Sequence, residues 1–148
     1  FVRRPAGCGR NRARGFTLIE LIITVAIVAI LATIALASYE FAVTKSRRAA
    51  AATCLQERAQ FAERYYTTRM SYVGLPDPAD PANPAQCQDL GNFYVVSLVG
   101  VPTATAYQMQ AAPINSQLAN DTKCGTLTIN QQGVRGEGGS ATTADECW

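Results

Sequence analysis

The chain contains no histidine. No histidine-based catalytic triad and no histidine-ligated zinc protease motif can therefore form. A phosphate-cradling glycine loop and a G-x-S-x-G elbow are also missing, which removes the common nucleotide-using and serine-hydrolase chemistries. No two cysteines have C-x-x-C spacing, so zinc lacks its usual ligand pattern. Neither glycine nor proline occurs between Phe16 and Val73, so nothing in that stretch interrupts a helix. Residues 18–37 carry one charge, Glu20. These absences point to a structural or binding protein, not an enzyme, and to no cofactor.

What is present begins with an apolar run. Residues 18–37 make 20 positions, and about 20 apolar residues cross a hydrocarbon core as a helix. Thr24, Thr33 and Ser38 can bond back to helix carbonyls and do not spoil the span. A secretory signal peptide would have a shorter apolar region followed by a small-x-small cleavage site; here Ser38-Tyr39-Glu40-Phe41 follows. Five arginines (Arg3, Arg4, Arg10, Arg12, Arg14) precede the run. Positive flanks stay cytoplasmic, so the remainder is expected outside that compartment. A carboxylate near the start of such a span is costly and calls for a reason.

Charge divides the same way. The net +2 of the whole chain comes from the arginine-rich leader; beyond residue 15 there are 8 basic and 11 acidic side chains, a net of −3. Residues 54–148 hold 5 basic and 9 acidic side chains, a net of −4. No global attraction to a phosphate backbone follows from that balance, and DNA is not an expected partner.

Cysteine usage agrees with export. Cys8 lies in the leader, leaving Cys54, Cys87, Cys124 and Cys147. An even count in a small exported domain suggests disulfides, with three connectivities open. Pairing Cys124 with Cys147 would tie down a glycine-rich tail (136–145) that otherwise has little to bury. Pairing Cys54 with Cys87 would staple a helix to the end of a proline-rich connection. Each closed loop would gain roughly 3 kcal/mol on the entropy model. Sequence alone does not choose among the three.

Helical composition continues past the apolar run. Residues 42–70 are rich in good helix formers, with Leu55, Ala59, Ala62 and Tyr66 at helical spacing and Cys54, Phe61 and Tyr65 widening that face. The charges Glu57, Glu63 and Arg64 fall beside or opposite it. One helix from about Thr17 to about Met70 is expected, on the order of 80 Å long, ending before Gly74 and Pro76. Residues 74–91 read as an irregular connection, with Pro76, Pro78, Pro81 and Pro84 favouring extended, solvated backbone. Asp77, Asp80 and Asp89 lack calcium-loop spacing, so a polar surface loop is the better reading.

Strands are expected next. Residues 92–99 are aromatic and β-branched. Residues 104–112 alternate, with Tyr107, Met109 and Ala111 on one face. Residues 125–130 place Leu127 and Ile129 inward, and a turn at 131–133 leads to a short strand around Val134 and Arg135. Gly133, Gly136, Gly138 and Gly139 read as sources of flexibility. Antiparallel strands on one long helix make an α+β layer.

The run Gly15-Phe16-Thr17-Leu18-Ile19-Glu20-Leu21 resembles the N-terminus of type IV prepilins, and leader, long helix, strands and C-terminal cysteines resemble a type IV pilin from end to end. Glu63-Arg64-Tyr65-Tyr66, Lys123-Cys124-Gly125-Thr126-Leu127 and Cys147-Trp148 resemble the PilE-type minor pilins, which are associated with pilus initiation, motility and adhesion. The resemblance implies a leader over 1–15, a transmembrane and assembly helix over 16–41, its continuation over 42–73, and a connection, sheet and disulfide-closed region over 74–148. It implies cleavage between Gly15 and Phe16 by prepilin peptidase and N-methylation of Phe16. Glu20 matches the family's fifth mature residue, a glutamate thought to neutralise a neighbouring subunit's terminal amine. The implied partners are other pilins, the peptidase, the inner membrane and the pilus assembly machinery. The implied location is the inner membrane, then the extracellular pilus. Many pilins carry proline where this chain has Ala37 and glycine where it has Ala29, so this helix should resist local unwinding. That departure favours a minor subunit; a major pilin, a type II secretion pseudopilin and a DNA-uptake receptor pilin are the alternatives.

Overall fold

The computed structural model describes residues 15–80 and 87–148. The leader arginines, Cys8, Pro81 and Pro84 lie outside the described residues. Helix α1 runs Leu18–Arg69, within a residue or so of the expected bounds. It begins where Thr17 accepts the Glu20 amide on its Oγ1 at 3.3 Å, an N-cap that satisfies one of the free amides of a first turn. It ends where Met70 takes a left-handed φ of 54°, with its amide donating to the Tyr66 carbonyl at 2.7 Å.

The chain divides into two units, one reaching to Ser38 and one over Tyr39–Trp148. In the first, every large apolar side chain from Phe16 to Leu36 is exposed. An isolated water-soluble helix would not display such a surface; it needs lipid or other protein chains around it. This unit holds the apolar stretch of α1, the one described helix long and apolar enough to cross a membrane.

In the second unit a meander of β1 (Tyr94–Leu98), β2 (Gln108–Pro113), β3 (Leu127–Asn130) and β4 (Arg135–Glu137) forms an antiparallel sheet in that order. Register pairs Tyr94 with Pro113, Met109 with Ile129 and Ile129 with Arg135. Tyr94, Val96, Met109, Ala111, Leu127 and Ile129 form the buried face and share one core with Ala51, Leu55 and Ala62 of α1. Fully buried residues such as Leu55, Met109 and Leu127 each contribute about 1.5–3 kcal/mol.

The helix stripe that meets this core is Thr44, Arg48, Ala51, Leu55, Arg58 and Ala62, all buried and spaced by three and four. Two arginines thus lie on the inward face. Ala59, Phe61, Tyr65 and Tyr66 flank the stripe partly buried, and Glu57, Glu63 and Arg64 are exposed as the pattern required.

Three elements were not legible beforehand. Short helix α2 spans Asn115–Asn120 between β2 and β3, and single 3-10 turns cover Gln88–Leu90 and Ala144–Glu146. The edge of β1 is guarded by the proline-rich connection: Asp77 Oδ1 accepts the Ala79 amide at 2.9 Å and the Leu98 amide at 3.2 Å. A carboxylate on an edge strand discourages pairing with a stray chain.

The glycine-rich tail corrects the expectation of flexibility. Gly138 donates to the Cys124 carbonyl at 3.3 Å and Ala141 to the Lys123 carbonyl at 2.8 Å. A Cβ on Gly139 would overlap the Lys123 carbonyl, and one on Gly125 would lie 3.1 Å from the Gly138 backbone. These glycines serve close backbone approach, not mobility.

Candidate functional site

The residues that the resemblance marks for cleavage and assembly lie together at the start of α1. Gly15 has open space around it, and Phe16 is 74% exposed. The sequence Thr17-Leu18-Ile19-Glu20 has capping-box spacing, and Glu20 lies in the first helical turn, where the positive end of the helix dipole favours an anion. No ion pair to Glu20 occurs among the described residues. The arrangement presents a carboxylate on an apolar rod with no cation paired to it among the described residues.

The four described cysteines lie in two disulfides, Cys54–Cys87 and Cys124–Cys147, with Cα separations of 5.9 and 5.5 Å. The first fixes α1 to the end of the proline-rich connection. The second closes the loop holding β3, β4 and the tail.

The second disulfide is joined to α1 by polar side chains that sequence reasoning missed. Arg48 Nη1 donates to Asp121 Oδ1 at 2.9 Å and also to the Cys124 sulfur. Asp121 Oδ2 accepts from the Tyr94 hydroxyl at 2.8 Å and from Gln117 Nε2 at 3.1 Å. Gln117 also reaches the Thr44 carbonyl at 3.1 Å. Asp121 is 3% exposed and Gln117 fully buried. Burial raises the Tyr94 phenol above its ordinary value, and its bond to Asp121 raises it further. The one available signal was Arg48, four residues after Thr44 and three before Ala51, on the stripe that must face inward.

At the far end of α1, Glu63 Oε1 accepts from the Tyr72 hydroxyl at 2.9 Å and the Tyr107 hydroxyl at 3.4 Å. Tyr72 stacks between Tyr66 and Tyr107, with centroids 4.7 and 4.8 Å away. Burial first, then the Glu63 bond, pushes the Tyr72 phenol up to about 12. Burial and the Glu63 charge raise Tyr107 as well.

Basic groups are mostly engaged within the chain. Lys123 pairs with Glu146 at 2.7 Å. Arg47 lies 3.6 Å over the Phe93 ring, Arg69 4.6 Å over Tyr65, and Arg135 5.1 Å over Trp148. Among the described residues no group of three metal-ligating side chains converges.

Known proteins share both parts of this architecture. Residues 10–36 match the prokaryotic N-terminal methylation motif, and residues 37–128 match the family described as type IV minor pilin ComP, DNA uptake sequence receptor. The type IV major pilin protein PilE1 of Neisseria gonorrhoeae is 31% identical over 109 residues, 72% of this chain; the chain spans about half of that relative's length, 49%. Among solved structures, a type IV pilin from Shewanella oneidensis matches with a TM-score of 0.50 and 28% identity over 71% of this chain and 97% of its own. The non-core minor pilin PilV of Neisseria meningitidis shares the fold, with a TM-score of 0.50 and 22% identity over 69% of this chain and 93% of its own. The two family matches together run from residue 10 to residue 128, through the apolar stretch, the rest of α1 and the first strands of the sheet, and this chain belongs to the type IV pilins.

Proposed function

We propose that the chain is a minor subunit of a type IV pilus. It is inserted in the inner membrane by residues 18–37, cut between Gly15 and Phe16, methylated at Phe16, and then drawn into the filament. The observation that carries this reading is the wholly exposed apolar surface from Phe16 to Leu36, with Glu20 inside it and no ion pair to it among the described residues. Lipid covers such a surface before assembly and neighbouring helices cover it afterwards. A lone carboxylate in either setting is costly, and a terminal amine of an adjacent subunit offsets that cost. The minor-subunit reading draws support from the family description over residues 37–128 and from an α1 unbroken by glycine or proline.

The test is quantitative peptide mass spectrometry of filaments sheared from the cell surface, including the N-terminal peptide. Trace amounts of chain beginning with methylated Phe16 are expected. Dominance of this chain would make it the major subunit. Its absence from filaments, with a processed form in the membrane, would make it a secretion pseudopilin.

The same family description favours a second reading, a receptor for DNA during uptake. Against it stand the net charge of −4 over residues 54–148 and the engagement of Arg47, Arg69 and Arg135 described above. Duplex DNA binding by the full chain at low salt, lost as salt rises, would favour this second role; no binding at low salt would remove it.

A further inference from the structure

A cavity of about 230 Å³ opens within the second unit, lined by Phe41, Thr44, Lys45, Arg48, Asn120, Asp121, Lys123 and Glu146. It is smaller than the roughly 300–1,000 Å³ of pockets that hold drug-sized ligands. Its wall carries both signs of charge. The Arg48–Asp121 pair is buried and serves the fold. At the rim, Lys45 is exposed and makes no hydrogen bond or ion pair within the described residues. Lys123 and Glu146 face each other there, with side chains 61% and 38% exposed, so both keep donor and acceptor capacity toward a ligand. Two ammonium groups and one carboxylate around a small opening match a phosphate covalently joined to an ammonium better than they match a plain anion.

Position along the chain indicates where such a group comes from. Phe41 follows the apolar run by four residues of α1, which rise about 6 Å along a helix. Headgroup layers occupy the outer 5–8 Å or so on each side of the hydrocarbon. Whatever the pose of the domain, the chain therefore holds Phe41, at the cavity's edge, within reach of a headgroup. Tyr39 and Phe41, 69% and 70% exposed, lie between run and cavity, as aromatic residues do at a membrane interface.

We infer that this cavity binds the zwitterionic headgroup of a phospholipid, a phosphate ester carrying a primary ammonium, while the chain is held in the membrane. Lys45 and Lys123 take the phosphate and Glu146 takes the ammonium. The site rests on the membrane-anchored reading above and deepens it. It gives the head domain a preferred seat on the bilayer before the subunit leaves for a filament.

The test uses the full chain in nanodiscs of phosphatidylethanolamine and phosphatidylglycerol mixed in equal parts, with co-released lipid counted by native mass spectrometry. Wild type should retain phosphatidylethanolamine preferentially, and Lys45→Gln should lose about tenfold of that retention, the scale of one charge-assisted hydrogen bond. Glu146→Gln should reverse the preference toward phosphatidylglycerol, since it frees Lys123 and removes the ammonium's partner. Both substitutions are at exposed positions, and unchanged thermal melting of each variant checks that the fold persists. Free phosphoethanolamine at millimolar concentration should displace little lipid; full displacement would make the soluble compound the ligand and overturn the membrane role. Equal retention of both lipids by wild type, or wild-type retention by Lys45→Gln, overturns the site. Co-flotation with vesicles separates the two readings. A chain that floats without headgroup preference sinks the cavity alone; one that does not float sinks the anchor and the cavity together.

Discussion

Changing Asp121 to asparagine preserves shape and removes one charge. Arg48 would then keep its guanidinium in a side chain only 10% exposed, with no counter-charge. Breaking a buried pair by removing one partner costs about 3–5 kcal/mol. The asparagine can still accept from Tyr94 or Gln117, so the lower end, about 3 kcal/mol, is expected. Against a domain stability of about 5–15 kcal/mol that is a large fraction. Urea titration of the full chain in detergent micelles, disulfides intact and followed by the fluorescence of Trp148, the single tryptophan, measures it. With a slope of about 1–3 kcal/mol per molar urea, the midpoint should fall by about 1–3 M. Arg48→Met alone should also destabilise, because Asp121 is then the stranded charge. Arg48→Met combined with Asp121→Asn should cost at least about 2 kcal/mol less than the sum of the two single changes, the mark of coupled sites. A midpoint shift under about 0.3 M for Asp121→Asn, or simple additivity, would refute the view that this pair holds the disulfide-closed region to α1.

Glu20→Ala should insert and be cleaved normally but enter filaments poorly; normal incorporation in sheared pili would refute amine pairing. Gly15→Leu should block processing, and a mature-length product on an immunoblot would contradict the assigned cleavage site. Met70→Gly should raise stability by up to about 1 kcal/mol, because an exposed non-glycine residue holds φ of 54° there and glycine adopts that region without steric cost; an unchanged or lowered urea midpoint would count against strain. Stability should fall at high pH: Tyr72 ionises near 10 when unfolded and near 12 when folded, so the folded state binds more protons in that window. The contribution is therefore complete below pH 10 and lost as pH rises through about 12. A midpoint that is flat across that window would show the Glu63 cluster contributes nothing.

The long helix was legible because its signals are redundant: a twenty-residue run with a single charge, good helix formers after it, and no breaker before Gly74. Strand faces were legible where alternation was strict, as at Tyr107, Met109 and Ala111, which are buried as expected. Strand ends were less so: Phe93 lies just before the start of β1 although its carbonyl accepts the Ile114 amide at 2.8 Å, and 104–107 have strand composition but fall outside the β1–β2 register. Helix α2 escaped because six residues are too few to establish a period, and no side chain caps its start. Arg48 and Arg58 were not singled out by residue type, yet spacing from Thr44 to Ala62 places both inward. The partner that makes Arg48 tolerable, Asp121, lies 73 positions away, and no local pattern announces a pairing at that range. The glycine tail misled for a related reason: glycine permits both motion and close approach, and only the backbone of Lys123 and Gly138 decides between them.

The bare apolar surface of the first unit has a consequence for reversibility. Lipid tails are about as apolar as leucine. Moving residues 16–36 from bilayer to the company of like helices exchanges one hydrocarbon-like setting for another. The hydrophobic effect that dominates ordinary folding therefore nearly cancels across that transfer. A subunit built this way is neither trapped in the membrane nor locked into a polymer by its greasiest segment. On the reading proposed above, the balance rests on smaller terms, the Glu20 charge among them, and a small input of energy would tip it either way.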